Sequence, residues 1–339
     1  MDLAELNKVA NAMVAPGKGI LAADESAGTC KKRFDAIGVE CTEVNRRDYR
    51  ELLFRSKGMA NISGVILFDE TIRQKAKDGT PLAKIIEQAG SLPGIKVDKG
   101  TKPLPFYPGE VITEGLDSLR ERLVEYRGLG AKFCKWRTVI DIGPGIPSYY
   151  CIKANAGALA RYAALCQDEN LVPIVEPEVL MDGDHDTDRC YQVTELALKA
   201  LFHELYLARV KLEGMVLKPN MVVPGKKSAK QASVDEVAEK TLRVLKECVP
   251  AAVPGIAFLS GGQSDLDATA RLNAMNRLGD APWKITFSYS RALQAAPQKA
   301  WSGKAENVAA AQAAFTHRAA MNGLASMGKW TPELEKKAA

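Results

Sequence analysis

Lys218 stands where an apolar run stops. The stretch reads "GMVLKPNM", Gly214 to Met221. Met215 to Leu217 have the character of a buried strand, and Pro219, which lacks an N–H, helps to end it. Lysine is rarely buried without a partner, so an ammonium at this place either reaches solvent or is put to use. Acids and bases recur at the ends of other apolar runs: Asp24 after "GILAA", Lys96 in "GIKVD", Lys135 and Arg137 in "AKFCKWR", Glu176 and Glu178 in "VPIVEPE". Side chains two apart in a strand share a face, so Lys135 points with Arg137, and Glu176 with Glu178. Such a set fits a specific chemistry. Desolvation and a neighbouring like charge lower a lysine pKa, and the neutral amine attacks a ketone to give a carbinolamine and then a Schiff base. Either Glu176 or Glu178 can act as the acid/base of that dehydration. The protonated imine then draws electrons from a neighbouring C–C or C–H bond. The other reading of the same charges is a structural ion-pair network plugging the mouth of the core.

A second clue concerns anions. "LSGGQS" offers Ser260 and the backbone N–H groups of Gly261 and Gly262, which a ligand can approach closely. Arg291 follows "TFSYS" and can grip a phosphate with two parallel hydrogen bonds. A glycine turn beside a surface arginine is the plainer alternative.

These residues need elements to hold them. A short apolar run that follows a glycine or turn and ends in a polar residue occurs eight times: "GILAAD", "GVILF", "GIKVD", "AKFCKWR", "VPIVEPE", "GMVLKPN", "GIAFLSG" and "WKITFSY". Helical patterns fill the gaps. Ser233 and Glu236 form an S-x-x-E start before Val234, Val237, Ala238, Thr241, Leu242 and Leu245. Leu116, Leu119, Leu123 and Tyr126 keep the same spacing. Ser264 and Asp267 mark another start, and two further segments cover "AGALARYAALC" and Thr187 to Leu212. Strands alternating with helices predict a parallel sheet. Eight units without a linker predict an α/β single-domain (β/α)8 TIM barrel over residues 1–339, with a short C-terminal tail after about 329. An open doubly wound sheet is the alternative, weakened because no G-x-G-x-x-G follows the first run. In such a barrel the site lies at the C-terminal ends of the strands, where the charged residues fall.

Composition narrows the partners. The chain has 339 residues and a net charge of +5, spread without a basic stripe, which argues against nucleic acid and for small anions. Seven scattered cysteines with no C-x-x-C pair point to reduced thiols and a cytoplasmic setting. No signal-peptide pattern opens the chain and no apolar segment has the length of a membrane span. No metal or other cofactor is expected: His185, His203 and His317 form no ligand motif. "DHDTDR" imitates a calcium loop but has Arg189 where the glycine must stand, so it reads as an acidic entry to a helix. "PGKKS" lacks the upstream glycine of a phosphate loop, Asn220 taking its place.

Taken in order, "GKGILAADES", "GVILFDET", "GIKVDKG", "CKWR", "VPIVEPE", "LEGMVLKPNM", "FLSGGQS" and "TFSYSRALQ" resemble class I fructose-bisphosphate aldolase from about Gly17 to Gly328. The resemblance implies a Schiff-base barrel enzyme. It would reversibly cleave fructose 1,6-bisphosphate to dihydroxyacetone phosphate and glyceraldehyde 3-phosphate, in glycolysis and gluconeogenesis. It implies Lys218 as the Schiff-base lysine and Glu176 as the dehydration acid/base, supported by Glu178 and Lys135. Asp24 would take the C4 hydroxyl proton. Ser260, Gly261, Ser290 and Arg291 would hold the phosphate beside the ketone, and Ser26, Thr29 and Lys96 the far one, with Arg33 and Arg137 nearby. It further implies a homo-oligomer, usually a tetramer. Two departures stand out. Many members have glycine at the place of Ser290. Animal members end in a tail closed by tyrosine, whereas the last tyrosine here is Tyr289, so another group moves the enamine proton or that step is slower. The rival readings are a transaldolase-like Schiff-base lyase and a non-catalytic scaffold on the same fold.

Overall fold

The computed structural model describes residues 1–338. Ten strands follow in chain order: β1 (Gly19–Ala23), β2 (Ile62–Leu67), β3 (Leu92–Lys96), β4 (Thr101–Pro103), β5 (Val111–Thr113), β6 (Phe133–Ile140), β7 (Val172–Val179), β8 (Val216–Leu217), β9 (Gly255–Phe258) and β10 (Lys284–Tyr289). Eight of them form a closed parallel barrel in the order β1-β10-β9-β8-β7-β6-β3-β2. Each coincides with one of the eight apolar runs. The hairpin β4–β5 is additional and antiparallel, inserted after β3.

The inward face of the barrel changes character along each strand, and this change makes the site. Ile20 and Ala22 of β1, Phe133 of β6, Val172 and Ile174 of β7, Val216 of β8 and Ala257 of β9 form one apolar cluster, separate from the larger one under the helices. The helix Leu3–Met13 closes this cluster with Leu6, Ala10 and Met13. Continuing with the pleat's period of two, the next inward positions are Asp24, Lys135, Arg137, Glu176, Glu178 and Lys218. The charges therefore lie on a dry apolar floor, where they are forced to satisfy one another.

The helices start largely as their cap residues dictate. Ser26, Ser148, Asp186, Ser233 and Ser264 each accept a hydrogen bond from a first-turn N–H, a contribution of about 1 kcal/mol apiece. The expected capping box is only half formed. Ser233 accepts from the Glu236 N–H at 3.1 Å, but the Glu236 carboxylate turns to Lys240 at 3.0 Å. The helix expected from Leu116 begins at Leu119, because Ser118 takes left-handed backbone angles (φ 54). The segment Thr187–Leu212 is helical only to Leu207. Asp186 caps that helix, so the acidic "DHDTDR" stretch is a helix entry.

Past residue 329 the chain lies against the body. Trp330 is buried, and Glu335 accepts from Arg318 at 2.7 and 2.8 Å and from Trp330 Nε1 at 2.9 Å, and bonds His317 at 2.8 Å. No described helix is long and apolar enough to cross a membrane.

Candidate active site

A cavity of about 590 Å³ opens at the C-terminal end of the barrel. Its wall contains Asp24, Ser26, Thr29, Arg33, Lys96, Lys135, Arg137, Glu176, Glu178, Lys218, Ser260, Gly261, Ser290 and Arg291. Of the residues expected from the sequence, only Gly262 stands outside that wall.

At the floor, four buried groups form a chain. Lys218 Nζ lies 3.1 Å from Glu176 Oε1, and Lys135 Nζ lies 2.9 Å from Glu176 Oε2 and 2.9 Å from Asp24 Oδ2. Exposures are only 3% for Lys218 and Glu176 and 4% for Lys135, so these attractions act at low dielectric. The contact from Lys135 to Glu176 Oε2 is close but poorly angled, and leaves that oxygen without a hydrogen-bond donor. The strands fix the spacing: Lys96 pairs in register with Lys135, and Arg137 with Glu176. Lys218 is tied to β7 by its own N–H, which donates to Val175 O at 2.9 Å.

The four groups do not titrate alike. Burial works to raise the pKa of Asp24 and Glu176, but the ammoniums of Lys135 and Lys218 outweigh it, and both carboxyls are held below the usual carboxylate range. Burial works to lower the pKa of Lys135, yet Asp24 and Glu176 together lift it above the ordinary lysine value. Burial lowers Lys218 too. There Glu176 resists, Lys135 adds its like charge, and the net shift is downward. The sequence left Glu176 and Glu178 as equal candidates. The geometry separates them: Glu176 lies between the two lysines, whereas Glu178 pairs with Arg137 Nε.

Polar groups line the walls toward both ends. Ser26 Oγ caps the helix Ala27–Asp35 and lies 3.2 Å from Thr29 Oγ1. Lys96 Nζ is 3.4 Å from Asp98. Across the cavity, Ser260, Gly261 and Arg291 gather where β9 and β10 end. Arg33 is drawn toward this second group. Both of its terminal nitrogens donate to Ser290 Oγ at 3.1 Å, and it pairs with Glu25.

Glu25 is the residue that sequence reasoning missed. It is buried, and its Oε1 accepts from Arg33, from Ser290 Oγ at 2.8 Å and from Gln294 Nε2 at 2.7 Å. Its neighbour Asp24 carried the strand-end signal, and nothing in local spacing marks a carboxylate two of whose partners, Ser290 and Gln294, lie beyond β10. Among the described residues no three His, Cys, Asp or Glu side chains are grouped to hold a metal ion.

The family model "Fructose-bisphosphate aldolase class-I" matches residues 5–339. The chain is a class I fructose-bisphosphate aldolase. Among its relatives, a probable fructose-bisphosphate aldolase class 1 from Xanthomonas campestris is 59% identical, covering 97% of this chain and 99% of that one. The fructose-bisphosphate aldolase of Drosophila melanogaster is 54% identical, over 96% and 91% of the two chains. The Plasmodium falciparum aldolase, solved in complex with TRAP and a small-molecule inhibitor, superposes with a TM-score of 0.96 at 48% identity, covering 97% of this chain and 96% of its own. This aldolase therefore acts in glycolysis on sugar phosphates, and its TIM barrel is the fold that the alternation of runs and helices predicts.

Proposed function

We propose that Lys218 forms the Schiff base through which this aldolase cleaves fructose 1,6-bisphosphate to dihydroxyacetone phosphate and glyceraldehyde 3-phosphate. The observation that carries the reading is the single carboxylate, Glu176, shared by two lysines whose pKa values move in opposite directions. Lys218, as the neutral amine, adds to C2 of the ketose. Glu176, holding the proton that the Lys218 ammonium gave up, delivers it to the departing C2 hydroxyl, water leaves, and a protonated imine remains. Asp24, ionised beside Lys135, takes the proton from the C4 hydroxyl as the C3–C4 bond breaks. That electron pair moves into the imine to give an enamine, and glyceraldehyde 3-phosphate departs. Protonation at C3 and hydrolysis return dihydroxyacetone phosphate and the free lysine. Lys135 stays charged throughout and keeps Asp24 and Glu176 ionised between proton transfers, and Glu178 with Arg137 completes the polar wall. Ser260, Gly261, Ser290 and Arg291 grip the phosphate beside the ketone, and Gly262, outside the wall, shapes the turn that carries Gly261. Ser26, Thr29 and Lys96 grip the far one, and Arg33 and Arg137 add positive charge between the ends.

Borohydride reduction with dihydroxyacetone phosphate, followed by peptide mapping, tests the assignment. The adduct is expected on the peptide carrying "VLKPNM". An adduct on Lys135, or none, overturns it.

A homo-oligomer, a tetramer by resemblance, belongs to the same proposal. Phe106 is fully exposed at the turn of the β4–β5 hairpin with a left-handed φ of 67, its chain neighbour Tyr107 stacks on Tyr150 at 5.1 Å, and Tyr149 and Tyr150 are also exposed. An aromatic patch of this kind is a candidate subunit contact. Sedimentation velocity checks it, since a monomer at micromolar concentration rules the oligomer out. The seven free cysteines support the cytoplasmic assignment.

A further inference from the structure

We propose that Lys226 is a further phosphate-binding cation of the ketone-side subsite, acting with Arg291 on one phosphate. This rests on reading Ser260, Gly261, Ser290 and Arg291 as that subsite. The "PGKKS" stretch, which fails as a phosphate loop in sequence, is fixed by tertiary pairing just outside the residues that line the cavity. Three successive N–H groups bond the loop after β7: Gly225 to His185 O at 2.8 Å, Lys226 to Met181 O at 2.7 Å and Lys227 to Gly183 O at 3.0 Å. A Cβ on Gly225 would come 2.1 Å from the Gly183 carbonyl oxygen, so only glycine permits this approach and the backbone of Lys226 is fixed.

From there its side chain reaches the glycine turn after β9. A Cβ on Gly262 would lie 2.7 Å from Lys226 Nζ and 3.0 Å from Arg291 Nη2. The bare backbone of Gly262, at φ +89, thus leaves room for two cations over one face of the turn whose other glycine lines the cavity. Lys226 pairs with Asp182 at 2.7 Å, while none of the ion pairs among the described residues involves Arg291. Two positive groups with one carboxylate leave a positive charge unmatched at the lip of the cavity. A phosphate dianion, held at the same time by the N–H groups of the turn, matches it. Lysine supplies this as a mobile point charge, whereas Arg291 supplies a planar fork.

The test is steady-state kinetics with fructose 1,6-bisphosphate, and competition by inorganic phosphate, for four variants. Lys226→Gln is expected to raise KM and the phosphate inhibition constant about tenfold, the size of one lost charge-assisted contact, with the loss in KM rather than in kcat. Lys227→Gln removes the same charge one residue away and is expected to change neither. Asp182→Asn separates binding from tethering. If Lys226 binds phosphate, freeing it leaves KM level or lower. If the Lys226–Asp182 pair only ties two loops together, Asp182→Asn raises KM as much as Lys226→Gln does, and the proposal is wrong. Arg291→Ala reports on the subsite itself. A raised KM there with no effect of Lys226→Gln overturns this inference and leaves the subsite standing. No effect of either overturns both.

Discussion

Strand β6 and the end of β8 each bring a buried lysine to the same carboxylate. Both ammoniums lose their water, and both lie within 3.1 Å of Glu176. Lys135 also pairs with Asp24, and its pKa rises; Lys218 makes its one ion pair with Glu176, feels Asp24 only from farther off and faces Lys135, and its pKa falls. Burial is common to the two, so it does not decide which becomes the nucleophile. The count of carboxylates does. One region of the floor is built to keep a charge, and the other to give one up.

Substituting Lys218 by arginine should have the largest effect. It keeps a positive charge at β8, but a guanidinium stays protonated and forms no imine. Turnover should vanish in a coupled assay of triose phosphate. Turnover within about tenfold of wild type, roughly 1.4 kcal/mol of barrier, would reduce Lys218 to a mere charge and erase the contrast.

Asp24→Ala attacks the other side, by taking from Lys135 the carboxylate that distinguishes it. Loss of the base should cost on the order of 10²–10⁴-fold in bond cleavage, while borohydride still fixes fructose bisphosphate on Lys218. The ratio of trapped adduct to product is the measurement. A parallel decline of trapping and cleavage places Asp24 in binding or folding instead.

Lys135→Met sharpens the contrast with a smaller, directional effect. Without the like charge, the pKa of Lys218 should rise, so less of it is neutral at a given pH. The acid limb of the trapping rate should then move to higher pH, in protein shown by circular dichroism to be folded. The fold control matters, since stripping the partner from two buried carboxylates costs about 3–5 kcal/mol. A profile that stays put, or moves to lower pH, rejects the electrostatic account of Lys218.

The barrel was legible because each strand is an apolar run bounded by turn residues, and the charged layer because Asp24, Lys135, Glu176 and Lys218 continue the inward parity of those runs. What escaped has no such signature. The hairpin β4–β5 has three exposed residues in β4, one of them Pro103, and only three residues, Val111, Ile112 and the buried Thr113, in β5, so it is too short for hydrophobic alternation to mark it. Glu25 sits next to Asp24 on the opposite parity and is explained by Arg33, Arg50, Ser290 and Gln294, the last two more than half the chain away. The sequence offered Glu176 and Glu178 equally, since strand alternation aims both inward. Register and the reach of Arg137 decide between them.

The seam between β1 and β10 carries a consequence for how the enzyme comes into being. These strands meet at two register pairs, Ile20 with Ser288 and Leu21 with Tyr289. Above them, Glu25 binds Ser290 across 265 positions of sequence and Gln294 binds Ala22 O across 272. Closing so long a loop costs entropy before it returns any contact. Lys135, Glu176 and Lys218 lie on consecutive barrel strands, so their neighbourhood can assemble while the rest of the chain is still being made. Ser290 and Arg291 arrive only with the last strand. A chain that stops before β10 therefore lacks Ser290 and Arg291, and the site is complete only when the first and final strands join.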